Sequence, residues 1–116
     1  MPEKNKKEKH VPPYIERPDD LTRIVYLEFP LELGKEGDQA GIIDKLTLGR
    51  PTVGDILETS RQGTTEDERR VFVVAKMTKQ LPSLIEKLYA SDWDVLNDAY
   101  DELRFPKQKL AVSGES

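Results

Sequence analysis

The chain has 116 residues, of which 34% are charged and 36% hydrophobic, and a formal net charge of -4. That length predicts a single domain; a mean hydropathy of -0.65 and the lack of any apolar run near ~20 residues exclude a membrane helix. Zero cysteines exclude a disulfide scaffold, a thiolate metal site and a thiol nucleophile, while the one histidine, His10, cannot form a multi-histidine metal site.

An acidic balance, with an isoelectric point near 5.1, argues against general nucleic-acid binding. The lysine-rich start lacks the apolar segment of a signal peptide, so a soluble, cytoplasmic protein is expected. No cofactor or metal is expected either.

Residues 1–20 hold Pro12, Pro13 and Pro18, lysines at 4, 6, 7 and 9, and little to bury. This composition predicts a disordered basic arm, because so polar a segment cannot offset its ordering entropy. A solvated tail is the simplest reading of Lys4 to Lys9; contact with nucleic acid or an acidic partner is the rival one.

From Ile24 to Leu33 one parity reads Val25, Leu27, Phe29, Leu31 and Leu33, and the other Ile24, Tyr26, Glu28, Pro30 and Glu32. Such alternation predicts a strand with one buried face. Pro30 cannot donate to a ladder and marks an edge or a bulge. Gly34 to Gly41 is a flexible loop, and a second strand follows, with Ile42, Leu46 and Leu48 on one face. The expected hairpin covers 24–48 and needs helices to bury its apolar side.

Thr52 to Asp55 fits a capping box opening a short helix with a stripe of Val53, Ile56 and Leu57, which ends near Gln62-Gly63. Thr64 or Thr65 caps the next helix, and Glu66, Asp67 and Glu68 suit its positive end. Val71, Val74, Ala75, Met77, Thr78 and Leu81 share one arc. Phe72 and Val73 fall on the opposite side, so this helix is either sandwiched between two layers or offers a patch to a partner. Pro82 breaks the pattern. A further short helix then presents Leu84, Ile85, Leu88 and Tyr89. Ser91 is read as the cap of the last helix, with Asp94 as the carboxylate at the third position. Trp93, Leu96, Ala99, Tyr100 and Leu103 face inward, and the other side holds Asp92, Asp94, Asp98, Asp101 and Glu102, with Asp94, Asp98 and Asp101 read as solvated.

The expected fold is therefore α+β: an antiparallel hairpin and about four helices in one domain over 21–105, followed by a flexible tail at 106–116. No phosphate-binding loop occurs, and the carboxylates of the last helix lack a histidine to work with.

The run from Ile24 to Leu33, followed by Leu46-Thr47-Leu48 and then Arg50-Pro51-Thr52 with Gly54-Asp55-Ile56, resembles the tail assembly chaperone family of tailed bacteriophages. In that family an alternating strand leads through a P-T-x-G-D type junction into helices. Further on, Met77-Thr78-Lys79-Gln80-Leu81-Pro82 is similar to the family's T-G-L-P like break, with Lys79-Gln80 where a glycine is common. Asp92, Trp93 and Leu96 match its acidic segment. The resemblance spans about residues 24 to 105, and Gly49 is an insertion against it.

The resemblance implies a non-enzymatic protein of virion morphogenesis. It would bind the tape measure protein, keep that long helical chain soluble in the host cytoplasm, help recruit tail tube protein, and be absent from the mature virion. Related systems extend some copies by a frameshift, which here would diverge between Arg104 and Ser116. The contact surface expected is Phe72, Val73, Leu84, Ile85, Leu88 and Tyr89; the apolar helices also suggest a homo-oligomer. The alternatives are a small nucleic-acid-binding or regulatory protein using the basic arm, and an enzyme using Asp94 and Asp98.

Overall fold

A computed structural model describes residues 11–32 and 41–106. Within them the order is β1 (Tyr14–Glu16), β2 (Thr22–Glu32), β3 (Ile42–Gly49), α1 (Val53–Ser60), α2 (Glu66–Thr78), α3 (Pro82–Ile85) and α4 (Ala90–Arg104). The α+β class, with strands first and four helices after them, is as expected.

The sheet holds one strand more than the expected hairpin. Its order is β1-β2-β3, all antiparallel, and β1 lies in the stretch read as a disordered arm. Proline content and polarity suggested disorder there, but Tyr14 stacks on Tyr26 at 4.7 Å with the rings 12° apart, and Ile15 packs against the core. These cross-strand contacts repay the ordering of three residues. Residues 1–10, the loop at 33–40 and the tail at 107–116 lie outside the described residues.

Between Tyr26 and Leu31 the ladder slips: Tyr26 pairs with Lys45, but Leu31 pairs with Ile43. Residues 27–30 of β2 thus face Asp44 alone. Pro30 sits in this bulge, which accommodates its missing N–H inside a central strand. The slip also changes which isoleucine faces inward. Directly paired residues share a face, so inward Leu31 brings Ile43 against the core and leaves Ile42 67% exposed. Ile42 was expected beside Leu46 and Leu48; those two are buried as predicted.

The helices lie against the sheet and close a core of Val25, Leu46, Leu48, Val74, Leu96 and Tyr100, each at most 2% exposed. Burial of side chains of this size stabilises by about 1.5–3 kcal/mol apiece. The expected capping box of Thr52 with Asp55 forms, and Thr65, one of the two residues expected to cap the next helix, closes a box with Glu68 as well. Between those helices Gly63 is buried, and a Cβ there would come within 2.9 Å of the Arg69 nitrogen, so the tight turn depends on glycine. α2 ends at Lys79, whose N–H reaches the carbonyls of Ala75 and Lys76; its left-handed φ of 61° turns the next N–H, that of Gln80, back onto the Ala75 carbonyl at 2.9 Å.

The last helix starts differently from the expectation. Its N-cap is Tyr89, with no side-chain cap, so the box expected of Ser91 with Asp94 does not form, and Asp92 is not on an outer side. Instead Asp92, 0% exposed, accepts from the backbone N–H of Glu28 at 2.9 Å and of Phe29 at 3.1 Å. The bulge displaces these amides from the ladder, and a buried amide needs an acceptor.

Candidate functional site

The residues expected to contact a partner do not form one exposed surface. Val73 is 5% exposed and Ile85 2%; both belong to the core, and the contact role expected of them is corrected. For Val73 the reason is that α1 packs on α2 and covers its second side, the sandwiched alternative of the wheel reading. For Ile85, the helix is only one turn long, so its buried side follows the local backbone rather than an extended stripe. Leu84 and Leu88 are partly buried against the core, and Phe72 is half-buried. Tyr89 is 65% exposed, its ring held edge-on by Phe29 at 4.9 Å.

The larger apolar exposure lies elsewhere. Val53 and Leu57, one helical turn apart on α1, are 75% and 51% exposed. Positions i and i+4 share a face. Ile56 turns inward to the core, so the stripe of α1 splits and two of its three residues face solvent. Leu81, at the entry to α3, is also exposed. The sequence shows these residues as apolar, but α1 has apolar residues on a broad arc, and only the docking angle decides which of them is sealed.

Charged groups organise the same helical layer. The Lys76 ammonium meets Asp55 at 3.2 Å and also pairs with Glu58, tying α2 to α1. The Asp55 carboxyl is held below the usual aspartate range, first by the Thr52 backbone N–H and then by Lys76. Arg70 donates to Asp101 at 2.8 Å and to Asn97 at 3.2 Å, and lies over the Tyr100 ring. Asp101 is therefore engaged structurally, while Asp94 and Asp98 are exposed. Among the described residues no group of three histidine, cysteine or acidic side chains is placed to hold a metal ion. None of the described helices is long and apolar enough to cross a membrane. The lysines at 4, 6, 7 and 9 lie outside the described residues.

No protein-family model, curated protein or solved structure matches the chain.

Proposed function

We propose that the chain is a non-enzymatic tail assembly chaperone, which binds a tape measure protein and aids recruitment of tail tube protein in the host cytoplasm, without remaining in the mature virion. The observation that carries this reading is the exposed pair Val53 and Leu57 on α1. A protein that shields an aggregation-prone helix needs apolar side chains held outward on a rigid element, and binding to the unassembled partner keeps it soluble by mass action. The resemblance of the strand and the P-T-x-G-D junction to that family supports the same reading. Leu81 and Tyr89, with partly buried Leu84 and Leu88, extend the apolar exposure around α3.

Co-expression with the tape measure protein tests it. Its soluble fraction rises in the presence of this chain, and Val53→Glu with Leu57→Glu removes the rise while the circular dichroism of the chaperone is unchanged. Phe72→Glu weakens the rise to a smaller extent, since Phe72 is half-buried. Solubility that does not respond to co-expression would overturn the proposal.

A further inference from the structure

The free edge of β3 lies beside a basic groove that the chaperone reading does not use. In the sheet order β1-β2-β3, β3 has β2 on one side and, among the described residues, no strand on the other. Every second residue of such an edge directs its N–H and C=O outward, where they can template another strand. Along this edge a groove of about 680 Å³ runs between residues 45–50 and the C-terminal turn of α2. Met77, partly buried, is its accessible apolar side chain, Leu46 and Leu48 underlie it from the sealed core, and the charged residues lining it are Lys45, Arg50, Lys76 and Lys79. It has no acidic lining residue, although the whole chain is acidic.

Only Lys76 of these four is neutralised, by Asp55 and Glu58. Among the described residues, Lys45, Arg50 and Lys79 have no carboxylate within ion-pair distance: Lys45 lies over the Tyr26 ring, and Arg50 donates to the Asp20 carbonyl. The α2 carbonyls nearest the groove are already capped by the N–H groups of Lys79 and Gln80, which limits the negative helix end as a repulsive element.

We propose that this groove binds an acidic, extended segment of a partner protein, added as a fourth strand alongside β3. The backbone edge would supply pairing, the partly exposed Met77 would take an apolar side chain, and the cations would take the carboxylates between. A second copy of this chain is disfavoured as occupant, because symmetric edge pairing would set the cations against each other. Net negative charge elsewhere does not prevent binding, since charges beyond a Debye length of about 8 Å are screened at physiological salt.

The test uses the full chain and a fluorescent peptide of alternating Glu and Val, about ten residues long, the upper range of a natural strand. A Lys–Val peptide and a single-stranded DNA of similar charge are the comparisons. Anisotropy shows binding of the Glu–Val peptide, and hydrogen exchange shows slowed β3 amides. Arg50→Glu with Lys79→Glu, both exposed positions, weakens binding about ten-fold or more with circular dichroism unchanged. The proposal is overturned by any of four results: no peptide binding, equal binding of the Lys–Val peptide, tighter binding of the DNA, or binding that leaves β3 exchange unaltered.

Discussion

Asp92 and Phe29 are 63 positions apart, yet the carboxylate of one accepts from the backbone N–H of the other at 3.1 Å in the interior of the protein. With the second bond from the Glu28 N–H, one side chain of α4 satisfies the two amides that the bulge turns away from the ladder. The helix that covers the sheet thereby also stabilises the irregularity in its central strand.

Asp92→Ala removes the carboxylate that accepts from both amides. A loss of about 3 kcal/mol is expected, from about 1–3 kcal/mol per hydrogen bond to a buried charged group, measured by urea unfolding. Asp92→Asn keeps one acceptor oxygen and should lose less. If Asp92→Ala unfolds at the same urea concentration as the parent, the carboxylate is not what holds the bulge.

Glu102 on α4 receives a forked pair of bonds from Arg17 at 2.8 and 2.7 Å and a third from Arg23 at 2.8 Å. Its carboxyl is held below the ordinary value of 4.5, first by the bonds from Arg17 and then by those from Arg23, against the opposing effect of burial. Because the folded value is the lower one, this stabilisation is fully present above pH 4.5 and is lost as the pH falls through the folded value. Glu102→Gln should cost about 1 kcal/mol at neutral pH after allowance for solvent screening. The gap between parent and variant should close as the pH is lowered below that of a free glutamate, and a constant gap would contradict the assignment.

The Tyr26 hydroxyl donates to Glu16 at 2.6 Å, and this bond, ahead of other effects, pushes the phenol up from 10.0 to about 12. A raised folded value means that any stability linked to the phenol is intact below pH 10 and disappears as the pH rises through about 12. Ultraviolet titration, with Tyr26→Phe subtracted, should show this late ionisation. Glu16→Gln should move it back toward 10.0. An unmoved titration would show that β1 does not hold its carboxylate there.

Lys79 occupies a left-handed position, with φ of 61°, that glycine adopts without the Cβ clash. Lys79→Gly should raise stability by about 0.5–1 kcal/mol, read as a higher urea midpoint with the slope unchanged. A lower midpoint would mean that the lysine side chain contributes more than its backbone costs.

Much of the architecture was legible from local chemistry. The alternation of Val25, Leu27 and Leu31, the capping box at Thr52, the cap at Thr64 or Thr65, and the inward row of Leu96, Ala99, Tyr100 and Leu103 depend on side-chain period and nearby hydrogen bonds, which neighbouring residues determine. Pro30 likewise announced an edge or a bulge, because it has no N–H to donate; the pairing of β2 on both sides makes it the bulge.

Other features depended on contacts between distant parts of the chain. β1 exists because Tyr14 finds Tyr26, and Arg17, just after that strand, finds Glu102 85 residues away. Ile43 replaces Ile42 in the core through a pairing slip whose size the alternation of either strand does not contain. Val73 and Ile85 became core, and Val53 and Leu57 surface, once helices docked at particular angles. Periodicity states that a residue is apolar and which neighbours share its face; whether that face meets protein or water is decided by what packs across it, and that information is spread over the whole chain.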